Sequence, residues 1–154
     1  MDRVILFCYD GSDGSKSALA VAAEVCARPA DAVVLTAWMP ATTLLARGGS
    51  LATAYVPNEG EIDEQEAAAA QRIADQGAKQ VGGLGYGVSA RIAEATESIA
   101  KTIAEVADEV DAGLIVCGQR GLGPVRTALL GSVSHALSAR AQRPVLIAPT
   151  QQRA

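Results

Sequence analysis

Apolar and polar positions alternate in blocks along the chain, and these blocks predict strands and helices in turn. Short, nearly continuous apolar runs are typical of strands that are covered on both faces of a sheet. They predict five strands, over Val4–Tyr9, Ala32–Met39, Val88–Ala93, Gly113–Cys117 and Pro144–Ala148. Between them, apolar residues at helical spacing predict helices from Ser12 to about Ala27, from Glu61 to Val81, from Ser98 to Val110, and from Gly131-Ser132 onward.

Strands that alternate with helices predict an α/β fold with a doubly wound, five-stranded parallel sheet and helices on both faces. We expect the strand order 3-2-1-4-5 and a single domain over residues 1–150, followed by a short tail at 151–154. Residues 40–60 contain two prolines and three glycines and are predicted to be irregular. A loop of this length is usually either functional or mobile.

Composition narrows the class of protein. The chain has 154 residues, enough for one domain with a sizeable core. Its formal charge of −4 argues against a nucleic-acid partner, which a basic face would attract. The apolar runs are too short to cross a membrane, and the N-terminal residues do not resemble a signal peptide. Three cysteines in apolar segments favour reduced, buried thiols and a cytoplasmic location.

A glycine pattern after the predicted fourth strand is the clearest functional signal. Gly118-Gln-Arg-Gly121 is followed, after nine residues, by Gly131-Ser132. Glycine lets the backbone approach an anion closely, and the N–H groups at a helix start point toward it. The pattern therefore predicts a phosphate-binding loop, in which Gly118 leaves room for a sugar or phosphate against the backbone.

The predicted first strand ends in Tyr9-Asp10-Gly11-Ser12. In doubly wound folds, ligands bind beyond the carboxyl ends of the strands where the strand order reverses. We therefore expect this turn to face the glycine loop across one crevice. Asp10 could accept from a ribose hydroxyl or help to hold Mg²⁺, or it could satisfy backbone N–H groups of its own turn. These roles are compatible.

The whole chain except residues 40–60 resembles a single-domain universal stress protein. The resemblance rests on Asp10-Gly-Ser, the spaced glycines, Val133-Ser134 and Arg143-Pro-Val-Leu-Ile. It implies the family's ATP-binding branch, and a homodimer formed through the edge strand at 144–148. It also places a residue late in the second strand, near Trp38, against the adenine. The indole could stack on a purine or pack in the core.

The crevice and the resemblance together predict ATP, with or without Mg²⁺, as the cofactor. The predicted binding residues are Tyr9, Asp10, Gly11, Ser12, Trp38, Cys117, Gly118, Arg120, Gly121, Gly123, Gly131, Ser132 and Val133.

No catalytic or metal-ligating set is predicted. The sequence has no phosphate-binding loop of the lysine-containing type, and its only histidine, His135, is expected to be exposed or partner-facing. The residues favour a nucleotide-dependent regulator or sensor over a fast enzyme, and the resemblance implies a role in a stress response. Two alternatives stay open. The protein could be a dimeric interaction protein without obligatory nucleotide, or it could bind AMP or cyclic AMP.

Overall fold

Five parallel strands form one sheet at the centre of the molecule. The computed structural model describes residues 4–26, 31–47, 59–122 and 130–150. The strands are β1 (Val4–Cys8), β2 (Asp31–Trp38), β3 (Gly87–Glu94), β4 (Ala112–Gly118) and β5 (Val145–Ala148). They pair in parallel in the order β3-β2-β1-β4-β5. The predicted α/β fold class and strand order are confirmed.

The helices cover both faces of this sheet. They are α1 (Asp13–Val25), α2 (Ala41–Ala46), α3 (Glu59–Gly83), α4 (Ile99–Glu109) and α5 (Ser132–Arg140). Successive side chains of a strand point to opposite faces, and the core divides accordingly. Ile5 and Phe7 pack in the cluster that includes residues of α1 and α3, whereas Leu6 packs in the cluster that includes residues of α4 and α5.

The segment after β2 departs from the prediction. Residues 41–46 form the short helix α2, although residues 40–60 were predicted to be irregular, and α3 begins at Glu59 rather than at Glu61. The cause lies outside the segment's own sequence. Asp63 of α3 accepts hydrogen bonds from the Ala41 N–H at 2.9 Å and the Thr42 hydroxyl at 3.3 Å, and so caps α2. Residues 48–58 and the predicted tail at 151–154 lie outside the described residues.

None of the helices in the described parts of the chain combines the length and apolarity that a bilayer-spanning segment needs.

Candidate functional site

The strand order reverses between β1 and β4, which are neighbours in the sheet. From β1 the chain proceeds to β2 and β3 on one side, and then crosses back to β4 and β5 on the other. The connections that leave β1 and β4 therefore separate above the sheet and open a crevice at their carboxyl ends. The turn after β1 and the loop after β4 line this crevice, as predicted.

The turn after β1 is held by Asp10. Its Oδ1 accepts the Ser12 N–H at 2.9 Å, and Gly11 between them adopts a left-handed backbone with φ of 79°. Ser12 in turn caps α1, because its hydroxyl accepts the Ser15 N–H at 3.2 Å. Asp10 thus satisfies a backbone N–H group of its own turn, which is one of the roles expected for it.

Two glycines bring the loop after β4 against this turn. A Cβ on Gly118 would lie 2.5 Å from the carbonyl carbon of Gly14 in α1, and one on Gly121 would lie 2.6 Å from Asp10 Oδ2. Real Cβ atoms do not make contacts this short. Glycine is therefore required at position 118 because α1 packs on it, and the expectation that a sugar or phosphate lies against its backbone stays a prediction.

The start of α5 is tied to the same loop through one carbonyl group. The oxygen of Gln119 accepts the Gly131 N–H at 2.8 Å and the Ser134 hydroxyl at 2.9 Å. The Ser134 hydroxyl also lies 3.1 Å from the Gly131 oxygen. These bonds fix the first turn of α5 relative to the end of β4. The end of β4 and the start of α5 are therefore linked directly by hydrogen bonds.

The N-terminus of α5 is open toward the crevice. α1 and α4 each begin after a serine whose hydroxyl accepts a first-turn N–H, whereas Gly131 at the start of α5 provides no capping side chain. The N–H groups at the start of a helix have no acceptor within the helix and carry the positive end of its dipole. Because Ser132 and Val133 line the crevice, this end of α5 is suited to an anionic group.

Arg120 adds a positive charge to the same place. It lines the crevice, and its Nε is buried with no hydrogen-bond partner among the described residues. A buried donor without an acceptor is costly, at roughly 1–3 kcal/mol. A bound anion would supply that acceptor.

The floor of the crevice is apolar and carries two thiols. Cys8 at the end of β1 and Cys117 near the end of β4 both face the α4 and α5 side of the sheet. Burial raises the pKa of Cys117 to about 11. Burial also raises the pKa of Cys8 well above its usual value, and Cys117 and Asp10 contribute further. Both thiols are therefore protonated near neutral pH.

The resulting cavity has a volume of about 520 Å³, which suits a ligand of nucleotide size. It gathers most of the predicted residues. Those that line it are Tyr9, Asp10, Ser12, Cys117, Gly118, Arg120, Gly121, Gly131, Ser132 and Val133. Gly11 does not line the cavity but shapes the turn beside it. Gly123 lies outside the described residues.

Tyr9 and Trp38 hold their side chains elsewhere. The Tyr9 ring packs in the cluster on the α1 and α3 side, and its hydroxyl accepts a hydrogen bond from Gln80 of α3 at 3.0 Å. Trp38 is absent from the cavity lining, which includes Ala37 instead. Because alternate residues of β2 face opposite sides of the sheet, Ala37 faces the crevice and Trp38 faces away.

The structure also adds residues that the sequence patterns did not indicate. They come from β1, β2, α1, α4 and α5 and from the loop between β4 and α5. The additional lining residues are Cys8, Ser15, Leu35, Ala37, Ile99, Ile103, Leu122, Leu130, Ser134 and His135. Two of them, Leu35 and Ala37, could have been found by counting every second residue back from Met39, the predicted end of the second strand. His135 is exposed, as predicted.

This arrangement matches a known family over nearly the entire chain. The model of the universal stress protein family matches residues 1–149. The chain belongs to this family. A universal stress protein from Thermus aquaticus is 36% identical over 148 residues, which cover 96% of this chain and 98% of that relative.

Solved structures of universal stress proteins share the fold. One from Archaeoglobus fulgidus, in complex with dAMP, has a TM-score of 0.65 and 19% identity, and the match covers 96% of this chain and 98% of that one. Another universal stress protein, in complex with cAMP, has a TM-score of 0.67 and 24% identity, with 97% and 98% covered.

Proposed function

We propose that this universal stress protein binds an adenine nucleotide in the crevice between β1 and β4, with ATP among its ligands. The observation that carries the proposal is the convergence of the uncapped α5 with the buried, unpaired Arg120 Nε on one cavity. Relatives of the same fold are known in complex with dAMP and cAMP.

Each part of the nucleotide has a matching surface. The base fits the apolar region formed by Leu35, Ala37 and Ile103, which lines the cavity on the side of β2 and α4. Asp10 uses Oδ1 for its own turn, which leaves Oδ2 as an acceptor for a ribose hydroxyl. The phosphates then lie at the start of α5, where Ser132 and Val133 offer N–H groups.

Magnesium would be held chiefly by the phosphates. Among the described residues there is no cluster of three or more side chains that could ligate a metal ion. Mg²⁺ usually keeps several waters and takes only one or two protein carboxylates beside the phosphates. Asp10 is the carboxylate in the cavity lining, so it is the residue that would support Mg²⁺ in an ATP complex.

The role that fits this site is that of a regulator or sensor. Phosphoryl transfer depends on a positioned nucleophile and stabilisation of developing charge. His135 is exposed at the rim, and the two thiols of the floor are protonated, so neither provides an activated group at neutral pH. We propose that occupancy of the crevice, rather than turnover, is the signal.

We also propose a homodimer through residues 144–148. β5 lies at the edge of the sheet, so the backbone groups on its outer side have no partner strand within the described sheet. Val145, Leu146 and Ile147 are only partly buried. An apolar edge strand of this kind favours pairing with another chain. Sedimentation equilibrium of the wild type and of Val145→Lys tests this: the wild type should be dimeric and the variant shifted toward monomer, and a monomeric wild type would refute the dimer.

The nucleotide proposal is tested by thermal unfolding with ATP, ADP, AMP and cyclic AMP, each with and without Mg²⁺. A ligand that binds only the folded state raises the melting temperature with its concentration. Arg120→Gln should weaken the shift, whereas Arg72→Gln on the exposed surface of α3 should leave it unchanged. Absence of any shift by all four nucleotides at millimolar concentration would refute nucleotide binding.

A further inference from the structure

A second cavity adjoins the crevice. It has a volume of about 580 Å³ and lies between the start of α4, the α5 helix and the residues that flank α2. It shares four lining residues with the first cavity: Ile99, Ser132, Val133 and His135. The two cavities therefore meet along the start of α5, and one ligand could extend through both.

The position of the junction decides which end of a nucleotide faces the second cavity. Ser132 and Val133, at the first turn of α5, are the residues to which the phosphates are assigned above. Leu35, Ala37 and Ile103, to which the base is assigned, line only the first cavity. A ligand that continues into the second cavity must therefore be extended from its phosphate chain rather than from its base.

The lining of the second cavity combines a positive rim with small apolar residues. Arg47 and Arg140 line it, and no described lining residue is acidic. Glu97 lies near Arg47, but it is ion-paired with Lys101. The apolar part consists of Met39, the shared Ile99 and Val133, and three alanines, Ala100, Ala136 and Ala139. The alanine side chains are short, so they leave a flat surface against which a planar ring could lie. The two guanidinium groups are suited to bind a phosphate chain.

We infer that the second cavity binds the far end of an adenine nucleotide whose phosphate chain carries a second nucleoside, as in the dinucleoside polyphosphates. This inference rests on the nucleotide site proposed above. The first adenosine occupies the crevice, the phosphate chain passes over Ser132 toward Arg140, and the second nucleoside lies against the alanines of α4 and α5.

Calorimetric titration with diadenosine tetraphosphate and with ATP tests the inference. The two ligands carry a similar net negative charge, so a difference between them reports the second nucleoside. We expect diadenosine tetraphosphate to bind at least about tenfold more tightly than ATP. Ala139→Leu, which narrows only the second cavity, should remove most of this difference and leave the affinity for ATP within about twofold. Ala68→Leu, at an exposed position of α3, is the matched control.

Each outcome decides a separate question. Equal affinities for the two ligands in the wild type would overturn the inference while leaving the nucleotide site intact. If Ala139→Leu lowers the affinities for both ligands equally, the second cavity has no separate role and the inference is overturned. Tighter binding of coenzyme A than of diadenosine tetraphosphate would overturn the assignment of a nucleoside as the second group. If neither ATP nor diadenosine tetraphosphate binds, the proposed function itself fails.

Discussion

Gly14 and Gly118 touch through their backbones, so that a Cβ on Gly118 would lie 2.5 Å from the carbonyl carbon of Gly14. Gly14 is buried in the first turn of α1, and Gly118 is the last residue of β4. The contact brings α1 against the loop that borders the crevice. Backbone atoms cannot move aside as a flexible side chain can, so this contact makes the shape of the crevice depend on two residues without side chains.

Gly118→Ala should therefore destabilise the fold. The added methyl group overlaps backbone, and overpacking of this kind costs about 1–3 kcal/mol in the free energy of unfolding. Urea denaturation monitored by circular dichroism measures the loss. Gly83→Ala is the control, since a Cβ there meets nothing within 4 Å, and it should leave stability unchanged or slightly raised. A Gly118→Ala protein as stable as wild type would show that the close approach is not rigid.

Ser134→Ala should loosen the attachment of α5 to the glycine loop. It removes the hydroxyl that donates to the Gln119 oxygen, while the Gly131 N–H still occupies that oxygen. The expected cost is about 1 kcal/mol of stability, with weaker nucleotide binding because the first turn of α5 is less well positioned. Ser138→Ala, which removes an exposed hydroxyl bonded to the His135 oxygen, should change neither quantity. An unaltered nucleotide affinity in Ser134→Ala would show that the hydrogen bond from Ser134 to the Gln119 oxygen does not contribute to binding.

Substitutions of Asp10 should affect the free energy of unfolding and the nucleotide affinity differently. Asp10→Asn keeps an oxygen for the Ser12 N–H, so stability should stay within about 0.5 kcal/mol of wild type, whereas Asp10→Ala loses that bond and about 1 kcal/mol. Nucleotide affinity should fall in both variants, because both lose the second carboxylate oxygen. Urea denaturation and calorimetric titration give the two readouts. If Asp10→Asn binds nucleotide with wild-type affinity, the carboxylate does not make the proposed contact with the ribose.

The thiols of the floor should react slowly and should be protected by nucleotide. Burial raises the pKa of Cys117 to about 11, and the thiolate is the reactive form. Between pH 7 and 9 the alkylation rate should therefore rise about tenfold per pH unit and stay below that of a free cysteine. The measurement is peptide mass spectrometry of Cys8 and Cys117 in a Cys26→Ala background, with and without saturating AMP. Rapid labelling at neutral pH, unaffected by AMP, would contradict both the burial and the site.

The order of the elements could be predicted because the apolar runs and helical spacings are local properties of the sequence. Helix α2 could not, because its N-terminus is capped by Asp63, which is distant along the chain. The direction in which Trp38 faces could not be predicted for a different reason. Side chains on a strand alternate between faces, so a shift of one residue in the predicted strand decides whether Ala37 or Trp38 faces the crevice.

The glycine motif illustrates a second limit of sequence interpretation. The pattern correctly located the loop, but it did not distinguish a glycine needed by a ligand from one needed by a neighbouring helix. The packing of Gly14 on Gly118 shows that the neighbouring helix requires glycine there. Likewise, the cysteines were predicted to be buried, which holds for Cys117, whereas Cys8 and Cys26 are partly buried. The positions of Cys8 and Cys117 on the crevice floor depend on the pairing of β1 with β4.

Two neighbouring positions of β2 distinguish a crevice that holds an adenine base against this strand from one that does not. Calorimetric titration of AMP or ATP into wild type, Ala37→Leu and Trp38→Phe measures the affinities. Leu at position 37 would project into the cavity, so binding should be at least about tenfold weaker, whereas Trp38→Phe, facing away, should stay within about twofold of wild type. Unchanged binding in a folded Ala37→Leu protein, or a greater loss in Trp38→Phe, would contradict the placement of the base against β2.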